Sequence, residues 1–191
     1  TWYVVPLQLR LLFCFYQFYP DSTVWGPMHW GHATSEDLKN WKNQPIALEP
    51  DELGYIFSGS AVVDHNNTSG LGTAENPPLI AMFTYHEPKG AEAKTTDYQY
   101  QGIAYSLDNG KSFTKYSGNP VVPNNENLVD FRDPKVFWYE PTKKWVMSLY
   151  NGRDDNYILY NSSNLKDWVE TGSYSAAGSE CPDMFQLPVN G

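Results

Sequence analysis

Short apolar runs alternate along the chain with clusters of turn-forming residues. Runs rich in Val, Ile, Phe, Tyr and Trp predict strands at Phe13–Phe18, Ile56–Val63, Leu79–His86, Gln101–Ser106, Val136–Tyr139, Trp145–Leu149 and Tyr157–Asn161. Asn, Gly, Pro and Asp fill the gaps between them. Asp108-Asn109-Gly110 and Asn66-Asn67-Thr68-Ser69-Gly70 are turn sequences, because Asn and Gly tolerate positive φ. No amphipathic spacing runs beyond two or three helical turns. The pattern predicts an all-β fold.

A weak internal repeat narrows the architecture. Ser35-Glu36-Asp37-Leu38-Lys39-Asn40-Trp41 is similar to Ser163-Asn164-Leu165-Lys166-Asp167-Trp168, and a longer copy, Ser106-Leu107-Asp108-Asn109-Gly110-Lys111-Ser112-Phe113, ends in Phe. Two copies carry a similar tail, Gln44-Pro45-Ile46-Ala47-Leu48 and Asn119-Pro120-Val121-Val122. Each copy reads as a strand ending in Ser, a polar turn, then an aromatic that opens the next strand. Propeller blades recur at roughly 40–50 residues and accept loop insertions, so the intervals fit a β-propeller with long loops. A β-sandwich would also give strands and turns, but gives no reason for a recurring unit.

Composition removes several function classes. A formal net charge of −9 and a pI near 4.8 argue against nucleic acid and anionic membrane, since a phosphate-binding surface needs excess Lys and Arg. Seven Trp and fourteen Tyr suit a carbohydrate binder, whose ligands stack flat C–H faces on rings, although aromatics also simply fill sheets. The only cysteines, Cys14 and Cys181, make neither a disulfide framework nor a Cys/His metal cluster, so no metal or other cofactor is expected. Trp2 to Phe18 is apolar but broken by Pro6, Gln8, Arg10 and Gln17; it lacks a signal peptide's basic leader and reads as strand. Thr1 is not an initiator Met, and Gly191 follows the apolar run Met184 to Val189. Both ends therefore read as cut.

Carboxylates are the natural candidates for chemistry, because breaking a glycosidic bond usually needs two of them. In Phe131-Arg132-Asp133-Pro134-Lys135-Val136 an Asp lies between bases, and a neighbouring Arg favours its ionised form. Such a group can hold a hydroxyl or a developing positive charge, or form a structural ion pair. In Ser179-Glu180-Cys181-Pro182-Asp183-Met184-Phe185 a Glu enters an apolar segment. Apolar surroundings favour a protonated carboxyl able to act as general acid; an exposed strand start would make it an ordinary surface residue.

Five stretches, in order, resemble glycoside hydrolase family 32, the invertases, levanases and inulinases. They are Phe15-Tyr16-Gln17, Trp25-Gly26-Pro27-Met28-His29-Trp30-Gly31-His32-Ala33, Ile56-Phe57-Ser58-Gly59-Ser60-Ala61-Val62-Val63-Asp64, Phe131-Arg132-Asp133-Pro134-Lys135-Val136 and Glu180-Cys181-Pro182-Asp183. The Gly-Pro-Met-His after Trp25 looks most like the bacterial levanase and exo-fructanase branch. The resemblance covers residues 15–191, and residues 1–14 match poorly.

What the resemblance implies is a five-bladed β-propeller, of which this chain holds about the first three to four blades. A C-terminal β-sandwich normally follows and is absent here. The site would lie in the funnel at the propeller axis. Glu180 corresponds to the family acid/base and Asp133 to the Asp that holds fructose hydroxyls and stabilises the transition state. Arg132 would bind hydroxyls and keep the carboxylates charged. Gln17, Trp25, Phe57 and Ser58 would line the fructose pocket, and Cys181 would tune the acid. The implied activity is release of terminal β-D-fructofuranosyl units from sucrose or fructans by a retaining double displacement, in a secreted protein or, for a sucrose hydrolase, a cytoplasmic one.

The family nucleophile is the Asp of an Asn-Asp-Pro-Asn-Gly motif placed shortly before the Phe-Tyr-Gln strand, and no such motif occurs in this sequence. The chain as it stands is expected to form no covalent intermediate and, with blades missing, to fold poorly alone. Two rival readings follow: a fructosyltransferase passing fructose to another sugar, and a catalytically silent fructan-binding propeller. The sequons Asn66-Asn67-Thr68, Asn67-Thr68-Ser69 and Asn161-Ser162-Ser163 would matter only in a eukaryotic secretory pathway.

Overall fold

The structure is a computed structural model that describes the backbone of residues 3–6 and the whole of residues 11–175 and 180–187. Among the described residues, twelve strands form three four-stranded antiparallel sheets in chain order. The first holds β1 (Tyr3–Pro6), β2 (Leu12–Phe18), β3 (His29–Ser35) and β4 (Lys42–Asn43). The second holds β5 (Tyr55–Val63), β6 (Leu79–His86), β7 (Gln99–Ser106) and β8 (Thr114–Lys115). The third holds β9 (Arg132–Tyr139), β10 (Lys144–Asn151), β11 (Asn156–Ser162) and β12 (Val169–Ser175). One short helix, α1 (Pro88–Ala93), sits in the β6–β7 connection, its N-terminus capped by the Glu87 carboxylate. Each sheet is an up-and-down meander whose first strand lies against the first strand of the next, β1 beside β5 and β5 beside β9. That is the arrangement of successive blades in a partial propeller.

All seven predicted strands are present. The apolar stretch up to Phe18 is not one strand: β1 and β2 are separate and pair as neighbours, with Tyr3 opposite Phe15, while residues 1–2 and 7–10 of that stretch lie outside the described residues. β3 and β12 were not among the strands read from apolar runs, although the repeat implies a strand ending at Ser35 and another opening after Trp168. Gly31, His32, Thr34 and Ser35 break the apolar signal of β3, yet the strand is almost wholly buried. β12 is exposed throughout.

The repeat is the turn between the third and fourth strands of each sheet, with one correction. The third copy begins at Ser162, not Ser163. Ser35, Ser106 and Ser162 each end a strand, and each hydroxyl donates to the side chain two residues on, Asp37 at 3.1 Å, Asp108 at 2.7 Å and Asn164 at 3.2 Å. Each also accepts a turn amide, from Leu38, Gly110 or Leu165. Leu38, Asn109 and Leu165 all take φ near +60°, which costs a leucine strain that the hydrogen bonds must offset. The indoles of Trp41 and Trp168 then donate to the carbonyls of Leu38 and Leu165. The tails match as well: Ala47 and Val121 donate back to the third strands at Trp30 and Gln101.

Two apolar clusters fill the spaces between sheets. Phe13, Phe15, Trp30, Leu48, Ile56, Phe83 and Tyr85 join the first sheet to the second. Ile80, Met82, Ile103, Phe131, Met147, Leu149 and Ile158 join the second to the third. The second junction also has a polar rivet. Ser60, buried in β5, donates to the carbonyl of Pro134 at 2.8 Å and accepts the amide of Val136 at 3.0 Å, so one hydroxyl ties β5 to β9. Nearby, Trp145 donates to Thr68 and Lys166 to the Ser69 carbonyl. Ser60→Ala would leave two strand groups unpaired in a buried junction, at a cost of about 1–3 kcal/mol for each. Urea unfolding of the protein expressed from its full coding sequence is expected to show a midpoint lowered accordingly. An unchanged midpoint would mean that the junction closes without this bond.

Candidate active site

Two bulges build the site. Between Ile56 and Gly59, β5 places Phe57 and Ser58 opposite the single residue Thr84 of β6. Between Arg132 and Lys135, β9 places Asp133 and Pro134 opposite the single residue Leu149 of β10. A bulge takes residues out of the ladder and re-aims their side chains. The sequence accommodates both. A side chain at Gly59 would put its Cβ 2.0 Å from the Met82 carbonyl oxygen, and Pro134 has no amide to lose from the ladder. Asp133 takes φ +64° at its bulge, and its amide donates to Thr84 Oγ1 at 3.1 Å. That hydroxyl donates onward to Gln101, whose amide nitrogen holds the Phe131 carbonyl.

The segment 180–183 runs along β9 and meets it residue by residue. Arg132 donates through Nε and Nη2 to one oxygen of Glu180, at 2.8 and 2.7 Å. The Cys181 amide and thiol both donate to Asp133 Oδ2, at 3.1 and 3.2 Å. Lys135 Nζ reaches Asp183 at 2.8 Å. A cavity of about 420 Å³ opens above this seam, lined by Gln17, Trp25, Met28, Phe57, Ser58, Arg132, Asp133, Glu180 and Cys181. Every site residue expected from the sequence is thus in one cavity. Met28 was missed, although it lies in the Trp25 to Ala33 stretch.

One wall of the cavity is aromatic. Trp25, 63% exposed, meets Phe57 edge-on with centroids 5.7 Å apart. His86 stacks on Phe57 at 4.2 Å with planes 7° apart, and meets Trp25 and Tyr98 edge-on. Burial, and then the charge of Arg132, lower its pKa to about 4, so the ring is neutral at neutral pH and behaves as one more aromatic behind the wall.

Arg132 favours the ionised form of Asp133, as expected, but burial outweighs it. Its guanidinium goes to Glu180 and Asp130, and burial pushes the Asp133 carboxyl up despite Cys181 and Arg132. Glu180 is not in apolar surroundings: its side chain is 53% exposed and rests on a guanidinium. The Cys181 amide and thiol supply the two donors that oppose the effect of burial on Asp133. Arg132 itself is opposed by burial, but its bonds to Glu180 and Asp130 keep it charged.

These directions fix a pH dependence. A carboxyl whose folded pKa is raised contributes fully at low pH and loses that contribution as pH rises through the folded value. Ionised Asp133 therefore works against folding at pH 7. Asp133→Asn is expected to raise the thermal midpoint at pH 7 by about 2 °C, with the gap closing below about pH 4. Scanning calorimetry across that range checks this; a lower midpoint at pH 7 would mean that the Cys181 bonds outweigh burial.

The description "Glycosyl hydrolases family 32 N-terminal domain" matches residues 12–191. The levanase of Bacillus subtilis (strain 168) is 53% identical in an alignment of 184 positions that covers 93% of this chain and 25% of that protein. The extracellular exo-inulinase of Aspergillus niger (strain ATCC MYA-4892 / CBS 513.88 / FGSC A1513) is 43% identical in an alignment of 198 positions that covers 93% of this chain and 37% of that protein. Among solved structures, the β-fructofuranosidase of Schwanniomyces occidentalis complexed with fructosyl-erythritol superposes with a TM-score of 0.78 at 41% identity, over 87% of this chain and 31% of that one. The chain thus spans between a quarter and two-fifths of the length of these relatives, and with a family match over nearly all its residues it belongs to glycoside hydrolase family 32.

Proposed function

We propose that the protein to which this chain belongs is a retaining β-fructosidase, releasing terminal fructose from sucrose or fructans outside the cell. The observation that carries the reading is the cavity itself. It holds one buried carboxylate, Asp133, one exposed carboxylate, Glu180, an arginine between charged partners, and an aromatic wall. The similarity to a levanase and an exo-inulinase supports fructans as the substrate class.

In this reading the fructosyl ring sits against Trp25 and Phe57, with Gln17 and Ser58 on its hydroxyls. Asp133, held by two donors from Cys181, accepts ring hydroxyls and stabilises the oxocarbenium-like transition state. Glu180 protonates the departing oxygen, then activates water to free the sugar. The nucleophile is an Asp from outside this sequence, about 5–5.5 Å from Glu180 as retention requires; a separation of roughly 6.5–9.5 Å would mean inversion. The whole protein is a five-bladed propeller followed by a β-sandwich.

A second reading is a propeller that binds fructan without cleaving it. The deciding experiment is fructose release from sucrose, inulin and levan by the protein expressed from a gene extended to its complete start. Release is expected, and Glu180→Gln is expected to reduce it by about 10²–10⁴-fold. A well-folded protein that binds levan and releases nothing would establish the second reading. Transfer of fructose to an added sugar in preference to water would make it a fructosyltransferase.

A further inference from the structure

Asp130 lies outside the cavity, yet three parts of the chain hold it in place. Its φ is +54°, a conformation that an Asp tolerates better than most residues. Tyr98, from the β6–β7 connection, donates its hydroxyl to Asp130 Oδ1 at 3.2 Å. Gly152, in the β10–β11 hairpin, donates its amide to the Val129 carbonyl at 2.9 Å, and a Cβ there would lie 2.7 Å from the Asp130 Cβ. Asp130 Oδ1 in turn takes Arg132 Nη1.

The guanidinium is a planar fork. Nε and Nη2 form one edge of it, and both face Glu180 Oε2. Nη1 points away from that edge and is fixed by Asp130. Two anchors on opposite sides define the rotation of the plane, whereas one would leave a long side chain free to turn about its bond to Glu180. We propose that Asp130, steadied by Tyr98, is a positioning residue that sets Arg132 so that Arg132 presents Glu180 to the departing oxygen. The inference rests on the reading of Glu180 as proton donor given above.

A role exercised through proton delivery has a signature that a general structural role lacks. Sucrose and levan have leaving groups that need a proton; a 4-nitrophenolate does not. In the protein from its full coding sequence, Asp130→Ala is expected to lower kcat/KM on sucrose and levan by about 10–100-fold, the scale of a misplaced catalytic group. On 4-nitrophenyl β-D-fructofuranoside the loss is expected to stay under about 3-fold, because no acid is needed there. If Asp130→Ala fails to fold, Tyr98→Phe decides by the same comparison, with a loss of about 2–5-fold on the natural substrates from one missing hydrogen bond. Equal losses on both substrate classes, or none on either, would overturn the inference while leaving the proposed activity intact. Absence of fructose release by the unaltered protein would instead remove the reading, and this inference with it.

Discussion

The site depends on a seam in which two tetrapeptides lie side by side. Arg132-Asp133-Pro134-Lys135 and Glu180-Cys181-Pro182-Asp183 match in sequence order, with Arg132 on Glu180, Asp133 on Cys181 and Lys135 on Asp183. The outer ion pairs are too exposed to add much stability. Their opposite signs at both ends fix the register of segment 180–183, since a shift by one residue would take Arg132 off Glu180 and Lys135 off Asp183. The central pairing is different in kind. Asp133 is 3% exposed, so its acceptor oxygen needs the Cys181 donors. The seam can form only because the bulge at Asp133 and Pro134 takes that carboxylate out of the β9 ladder, and the bulge is held from behind by Thr84 and Ser60.

This arrangement separates two carboxylates by environment. Asp133 is buried among fixed donors and cannot move to meet a proton. Glu180 is open to solvent and rests on an arginine that is itself held on its far side. A transition state with developing positive charge needs a carboxylate of the first kind, in a position that requires no reorganisation. A group that gives up a proton and later takes one back needs access of the second kind. The division follows from where the seam places each side chain, not from any difference between Asp and Glu.

Much of this was legible in the sequence because it is local. Strands dense in β-branched and aromatic residues stood out, as did the Ser-to-aromatic turns, since each turn satisfies its own amides with its own Ser, Asp or Asn. β3 gave no apolar run, and only the repeat pointed to it, because its burial is imposed by neighbours: a Cβ at Gly31 would lie 2.4 Å from the Tyr16 ring, and glycine is a weak strand signal. β9 begins at Arg132 rather than Val136 because a bulge carries the strand past Pro134. The residues that line the cavity were recoverable as motifs, but the partners of their charged groups were not. Adjacency in sequence suggested that Arg132 serves Asp133, and the bulge turns the two side chains to different partners. Tyr98 and Asp130 carried no sequence signal at all, because a hydrogen bond across 32 positions exists only once the second and third sheets have packed.

The most direct test of the account is a crystal structure of the Glu180→Gln protein, with its full coding sequence, bound to a short levan oligosaccharide. The terminal fructosyl ring should lie against Trp25 and Phe57, its hydroxyls on Asp133, with the residue-180 side chain within about 3 Å of the glycosidic oxygen. A sugar bound away from this cavity, or one whose glycosidic oxygen lies beyond reach of residue 180, would contradict it.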